Sequence, residues 1–223
     1  MSSIWLLITH CSCLFPLGVF MWNYKLRKET ESIFIICRFL YTLLFSLMYH
    51  SYHVEENGFI KLHDKYRDIW VFLDGQQSAS LIVTTVLYCC RVRDPWIYIL
   101  SYNMDTLILV MHFFDLYLLS IYLLVLTTFI TFVYKYKTIL RYIKFYYYNT
   151  LLCFLFCGSA FFCYFYYQGD GKEEYILLHS LWHVLIFGTA GLGGILRYKL
   201  NNKLYPMGTR PTLNSIWHKI KYF

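Results

Sequence analysis

The chain has 223 residues, of which 58% are hydrophobic, 22% aromatic and only 15% charged. Soluble domains carry about a quarter charged residues, whereas apolar runs of about 20 residues, long enough to cross a bilayer, recur along this whole chain. The composition therefore excludes an ordinary soluble protein. The net charge of +7 lies mostly in loops and the tail, which fits anionic lipid headgroups and not nucleic acid.

The apolar runs predict one all-α domain, residues 1–223, that crosses the membrane seven times as a helix bundle. The first run has no basic residues before it and no small-residue cleavage motif after it, so we interpret it as a span and not as a cleaved signal peptide. Residues 197–223 form a basic tail. The predicted spans are 4–22, 32–52, 68–90, 95–114, 116–134, 146–167 and 175–196.

Lysine and arginine are distributed unevenly between the two sets of loops. The loops after spans one, three and five, together with the tail, hold 15 of these residues, and the other loops hold 4. Because cytoplasmic loops are enriched in lysine and arginine, the sequence predicts an external N-terminus and a cytoplasmic C-terminus.

Cysteines and small residues have structural explanations. The eight cysteines show no disulfide framework and no CxxC metal spacing, so we expect buried, inert thiols. Acylation at Cys89 and Cys90, which precede a basic stretch, is a weakly supported alternative. Ala190 and Gly194, four residues apart, predict close helix packing within the chain, with a homodimer as the alternative.

Polar side chains converge at one depth of the predicted bundle. His50 ends the second span, Asp74 lies about two turns into the third, and His179 and His183 lie in the first two turns of the seventh. The two histidines of the seventh span share one helical face and could share one metal ion. Ser46 lies one turn before His50, on the same face. The sequence therefore predicts a polar chamber in the outer half of the membrane.

Three neutral imidazoles, from His50, His179 and His183, suit tetrahedral Zn²⁺ with an open fourth position. Asp74 would orient a histidine or bind a metal-held water, and Ser46 would hydrogen-bond that water or a developing oxyanion. A single membrane histidine more often serves packing, and the HxxxH spacing alone is weak. The convergence of a third histidine and an aspartate favours zinc.

Other polar residues have simpler interpretations. We expect His112 and Asp115 to cap a turn near the headgroups, and His10 to pack within the first span. Asp105 lies in the middle of a span and must face protein or water, but the sequence offers no partner for it.

Three short motifs together resemble a known signature. SLMYH at Ser46–His50, the LDG step at Asp74 and HSLWH at His179–His183 are similar to the SxxxH, Asp and HxxxH signature of the CREST superfamily. These seven-span proteins include alkaline ceramidases, progestin and adipoQ receptors and factors acting on GPI-anchored proteins. The resemblance implies the same fold and zinc ligands, with Ser46 and Asp74 as catalytic residues if the chain is a hydrolase.

Two functions remain open from this resemblance. The chain is most similar to the short superfamily members that promote myoblast fusion during muscle formation, which implies a lipid-binding plasma-membrane protein that passes through the Golgi and acts with a small helper membrane protein. Those members end in a cysteine-rich tail, whereas no cysteine follows Cys163 here. The ceramidases imply a zinc-dependent lipid amide or ester hydrolase.

Two further functions are disfavoured. Axial haem ligands approach the ring from opposite faces, which His179 and His183 on one helical face cannot do together. A seven-span receptor fits the number of spans, but the sequence has no large cytoplasmic loop for signalling.

Overall fold

The computed structural model describes residues 4–54, 67–92, 95–114, 116–166 and 172–205. Within these segments the regular structure is entirely helical, which confirms the all-α prediction. A short 3₁₀ turn separates the first two helices, and each predicted span coincides with one or two helices. The elements are α1 Ile4–Thr9, the 3₁₀ turn His10–Cys13, α2 Leu14–Arg27, α3 Thr30–Val54, α4 Arg67–Cys89, α5 Trp96–Phe113, α6 Tyr117–Tyr134, α7 Tyr136–Tyr166 and α8 Lys172–Leu204.

Three helical segments, Thr30–Ser51, Tyr136–Tyr166 and Tyr175–Leu204, are long and apolar enough to cross a membrane. Large apolar side chains also cover the outer surface of α6, where Phe129 and Ile130 are more than half exposed. Such a surface would promote association in water but is ordinary in lipid. The chain is thus a helical membrane protein, and the crossing of the bilayer by the remaining helices stays a prediction.

The small residues of α8 allow α2 to approach closely. A Cβ atom on Gly194 would lie 2.8 Å from Cε1 of Phe20 and 2.8 Å from Cγ1 of Val19. Phe20 is fully buried and Ala190 is 5% exposed. Close packing along the Ala190–Gly194 face is therefore achieved within the chain, as the small-residue spacing predicts, and the homodimer stays an untested alternative.

A buried ionic cluster fixes the end of the bundle where α2 turns into α3. Lys28 ends α2 in the left-handed conformation, with φ 52°. The next residue, Glu29, accepts hydrogen bonds from Arg197 Nη2 at 2.9 Å and from Arg27 Nε at 3.2 Å. The Arg197 guanidinium also lies 3.9 Å from the ring centroid of Tyr88 in α4. Two of the arginines counted in the orientation argument are therefore buried and neutralised by protein.

Asp105 has a partner that the sequence did not identify. Its Oδ2 pairs with Nη2 of Arg38, which lies in α3. The Arg38 guanidinium lies 5.2 Å from each of the ring centroids of Phe34 and Tyr102, and the Asp105 carbonyl accepts a hydrogen bond from Gln76 of α4 at 3.3 Å. A partly buried ion pair thus joins α3 to α5 in the middle of both helices.

Apart from the Arg38–Asp105 pair, the ionic cluster and the histidines form two polar layers separated by nearly the thickness of a bilayer core. Ser32, beside the ionic cluster, and His50 are 18 residues apart on α3, and His179 and Arg197 are 18 residues apart on α8. At about 1.5 Å per helical residue this separation is about 27 Å, close to the ~30 Å of hydrocarbon in a membrane.

Helix α7 bends at Tyr146, where φ is −143° and ψ is 45°. The hydroxyl of Thr150 donates to the carbonyl of Tyr146 at 2.9 Å, a bond to the preceding turn of the kind that bends helices. The bend separates a basic segment, residues 136–145, from an apolar one. The ammonium of Lys203 in α8 lies 4.2 Å from the ring centroid of Phe145, so the basic segment stays packed on α8.

All eight cysteines lie in the described segments and all are free, which agrees with the expected absence of a disulfide framework. Cys90 is only 3% exposed, so its burial argues against acylation at that thiol. The expectation of buried thiols is wrong for Cys11 and Cys37, which are exposed.

The Gly194→Ala variant should be less stable than the wild type. The added Cβ would overlap Phe20, which is too enclosed to move aside, and overpacking of this kind costs about 1–3 kcal/mol. We expect a lower thermal midpoint of the purified protein in detergent. The matched control is Gly158→Ala in α7, where a Cβ would meet nothing within 4 Å. Equal losses in both variants would contradict the close approach of α8 and α2.

The Asp105→Ala variant should be destabilised more strongly. It leaves the Arg38 guanidinium largely buried without its carboxylate, and breaking a buried pair in this way costs about 3–5 kcal/mol. The double variant Arg38→Met with Asp105→Leu removes both charges and should recover most of the loss. Thermal melts of the wild type, the Asp105→Ala variant and the double variant test this. An Asp105→Ala variant as stable as the wild type would show that the ion pair contributes little to stability.

Candidate metal centre

The 3₁₀ turn at His10–Cys13 interrupts the first predicted span and buries the imidazole of His10. Pro16 has no N–H group, and its ring would clash with the carbonyl of Ser12 in a continuous helix. Helix α2 instead begins afresh at Leu14, with the proline in its first turn, where the missing N–H is tolerated. His10 is 2% exposed.

Four histidines meet where the 3₁₀ turn, α3 and α8 come together. Nε2 of His179 lies 3.1 Å from Nε2 of His50, and Nε2 of His183 lies 3.3 Å from the same atom. One ring nitrogen of His10 lies within 4.8 Å of ring nitrogens of both His50 and His183. His10, His50 and His183 are buried and close enough to hold a metal ion. We call these four residues the histidine cluster.

The two nitrogen–nitrogen distances from His50, to His179 and to His183, fit metal ligation. Nitrogens bound at about 2.0–2.1 Å to a tetrahedral ion lie about 3.3 Å apart, which is close to the two spacings around His50. Its Nε2 carries either one proton or one lone pair, so only one of its two short contacts can be a hydrogen bond. A shared cation would engage the lone pairs of all three nitrogens. Imidazole suits zinc, copper, nickel and iron, and the donor set does not select among them.

Ser46 links the histidine cluster to Asp74. Nε2 of His10 lies 2.8 Å from Oγ of Ser46, and the hydroxyls of Ser46 and Ser78 lie beside the Asp74 carboxylate. Within the described segments, Oδ1 of Asp74 and Nδ1 of His183 are buried without a hydrogen-bond partner. Buried polar atoms are normally paired, so these two atoms mark a place for water, an ion or a polar ligand.

A cavity of about 580 Å³ lies beside the histidine cluster, and each of the six helices α3, α4, α5, α6, α7 and α8 contributes to its walls. Most of the lining is apolar or aromatic, and polar groups come from Asp74, Gln76, Ser78, His112 and His179. The three buried histidines of the cluster do not line it. A mainly apolar pocket with a few convergent polar groups is the usual form of a small-molecule site.

His112 belongs to the wall of this cavity. Its ring stacks on that of Phe72 in α4, with centroids 3.7 Å apart and an interplanar angle of 22°. His112 lies in the last turn of α5 and its ring makes this stacking contact as well, whereas Asp115 lies outside the described residues.

The five residues singled out from the sequence lie together at one end of the bundle: Ser46, His50, Asp74, His179 and His183. The expectation that His10 packs within the first span is incomplete, because its ring contacts the cluster. A signal was present in the sequence, since the polar stretch HCSC precedes Pro16 inside an otherwise apolar run.

Fold and site together define a helical membrane protein with buried histidines near one end of its bundle. Residues 1–184 match a family described as a protein of unknown function, DUF3522. The chain belongs to the DUF3522 family. The matched segment contains the whole histidine cluster together with Ser46 and Asp74. No curated protein matches the chain.

Removal of one cluster imidazole should release the metal. In His183→Ala we expect the metal-to-protein ratio after purification to fall roughly tenfold or more, since loss of even an outer-shell partner costs about 10–100-fold in affinity. Elemental analysis of the purified protein measures this ratio. A chelator should lower the thermal midpoint of the wild type and leave that of His183→Ala unchanged.

The control for this experiment is His112→Ala, which removes a nearby imidazole that stacks on Phe72 and is outside the cluster. Its metal content should equal that of the wild type. Equal metal content in His183→Ala and the wild type would remove the metal assignment.

Proposed function

We propose that this chain is a plasma-membrane protein that promotes the fusion of neighbouring cells, namely myoblasts during muscle formation, with a zinc site near the outer leaflet. The observation that supports the proposal is the meeting of Ser46, His50, Asp74, His179 and His183 in one site, since these are the residues through which the sequence resembles the CREST signature.

The choice of fusion rests on similarity to one member of that superfamily. The stretches FSLMYHSYH, YRDIWVFLDG and YILLHSLWH resemble the second, third and seventh spans of myomaker, a minimal seven-span protein required for myoblast fusion. The resemblance covers most of the chain by pattern and these segments by residue. It implies a plasma-membrane location with passage through the Golgi, and membrane lipids and a small helper membrane protein as partners.

Zinc would brace the bundle from within. His50 of α3 and the two histidines of α8 would hold Zn²⁺, which supplies Lewis acidity and a cross-link between the helices when bound. The cavity offers the place for a lipid: its apolar walls suit an acyl chain, while Asp74 and His179 can hydrogen-bond a headgroup. Binding a lipid at this depth would draw it out of its leaflet and so assist the merger of two membranes.

The expected depth follows from the charge bias. With 15 lysines and arginines on one set of loops and 4 on the other, the positive-inside rule puts the ionic cluster at Glu29 on the cytoplasmic side. The histidine cluster, about 27 Å away along α8, would then lie just below the outer headgroups. Action at the headgroup layer needs no large external domain.

Cells that express the protein should fuse. Two populations of fusion-incompetent cells, each with a different cytoplasmic fluorophore, are mixed after expression of the chain, and cells with both colours are counted. We expect more two-coloured syncytia than with empty vector, because the protein would lower the barrier to merger of the facing outer leaflets. Absence of content mixing between cells with correctly localised protein would defeat the fusion proposal.

The variants for this assay are His183→Ala and Gly158→Ala, compared at equal surface expression. If the histidine cluster is required, His183→Ala should lose fusion, while Gly158→Ala, which lies outside the cluster and does not line the cavity, should retain it. Equal fusion in His183→Ala and the wild type would show that the cluster is not required.

A zinc-dependent lipid hydrolase is the second candidate, and the unpaired Oδ1 of Asp74 favours it. Asp74 would accept a proton from the attacking water, and the Ser46 hydroxyl would donate to the developing oxyanion. The discriminating measurement is mass spectrometry of lipids that co-purify with the protein. Defined cleavage products would support a hydrolase, and an intact lipid would support the fusion protein.

A further inference from the structure

We propose that His10 is a fourth metal ligand that closes the site. The inference rests on the proposed zinc site and adds to it the coordination number, which the three-histidine signature leaves open. A site with four protein ligands is typical of structural zinc, whereas catalytic zinc keeps a position for water or substrate. His10 therefore bears on which of the two candidate functions the chain performs.

His10 is placed as a ligand would be. Its side chain is 2% exposed, its ring centroid lies 4.2 Å from that of His183 and 5.2 Å from that of His50, and one of its ring nitrogens lies within 4.8 Å of ring nitrogens of both. Ligands of a tetrahedral ion lie about 3.3 Å apart, so this nitrogen of His10 needs to approach those of His50 and His183 by about 1.5 Å at most.

The backbone at His10 can provide that movement. His10 opens the 3₁₀ turn between α1 and α2, and 3₁₀ segments within helices are frequent hinges because their hydrogen bonds have poorer geometry. A change of one or two dihedral angles in this turn moves the imidazole without displacing α2, which is packed against α8 at Gly194.

Ser46 sets the proton on His10 in the form that a metal requires. A hydroxyl has one proton to donate. If Ser46 donates it to the Asp74 carboxylate, Ser46 must accept from Nε2–H of His10 across the 2.8 Å contact. We assign this pattern because both contacts are then satisfied. In this tautomer the lone pair is on Nδ1, which would then be the ligand atom, and a hydrogen bond at the other ring nitrogen is the usual way that proteins orient a histidine ligand.

A fourth ligand on the metal determines what a molecule bound in the cavity can contact. Asp74 and His179 line the cavity, whereas His10, His50 and His183 do not. With four imidazoles on the metal, a lipid in the cavity would meet the outer side of the site and find no position on the ion. The metal would then brace the bundle, as the fusion proposal requires, and would not activate water.

The experiment uses the full chain purified in detergent and loaded with Co²⁺, whose visible spectrum reports its coordination. The spectrum is recorded before and after addition of azide, a small anion that binds only where a ligand position is open. We expect the wild type to give a tetrahedral spectrum that azide does not change. In His10→Ala we expect a spectrum that shifts with azide, and Co²⁺ affinity, measured by chelator competition, that is lower by roughly tenfold or more.

Two control variants separate ligation from positioning. Ser46→Ala removes the hydrogen-bond partner of His10 but keeps all four imidazoles, so its spectrum should stay insensitive to azide while its Co²⁺ affinity falls. His112→Ala should match the wild type in both measurements.

The outcomes distinguish this inference from the proposed zinc site. An azide-sensitive spectrum of the wild type would overturn the fourth ligand and leave a three-histidine site, a result that needs no variant to fold. A His10→Ala spectrum identical to that of the wild type would also overturn it. A wild type that binds no Co²⁺ would overturn the metal site itself and this inference with it.

Discussion

The two short contacts from Nε2 of His50 to Nε2 of His179 and His183 connect α3 to α8 at one end of the bundle, and the rest of the site depends on them. They join a nitrogen that can hold one proton to two others of the same kind, and two of the three rings, those of His50 and His183, are buried. Burying a polar group without a partner is costly. The packing of these helices is therefore favourable only if the imidazole nitrogens of the histidine cluster have hydrogen-bond partners or a bound ion. Helix α8 connects the histidine cluster to the ionic cluster, because Arg197, towards its other end, donates a hydrogen bond to Glu29.

Much of the fold and of the site could be predicted from the sequence, since a membrane permits few kinds of secondary structure. Apolar runs must be helices, because lipid offers no partners for backbone N–H and C=O groups. Once the runs alternate in direction, the end of the second span, the start of the third and the start of the seventh come to the same depth. Ser46, His50, Asp74, His179 and His183 could therefore be grouped without knowing which helices are neighbours.

The remainder depended on neighbours and on local departures from a regular helix. His10 reaches the cluster because Pro16 forces a break, and periodicity alone does not say which way the chain turns there. Arg38 and Asp105 are both visible as charges in apolar runs, but their pairing required the relative rotation of α3 and α5. The cavity could not be predicted from the sequence either. Its walls come from six helices, and its volume depends on the spacing of those helices and not on any single residue.

The bend at Tyr146 has a consequence for the bilayer in which the protein can reside. A straight α7 of 31 residues would be about 46 Å long, far beyond the ~30 Å of a hydrocarbon core. The bend leaves residues 147–166 as a straight apolar helical segment, about 30 Å long. The preceding segment, which contains the lysines, runs in a different direction. Without the bend, hydrophobic mismatch would force the helix to tilt or the lipids to stretch, and such mismatch sorts proteins among membranes of different thickness. The backbone break at Tyr146 therefore fits the apolar part of α7 to a membrane of ordinary thickness.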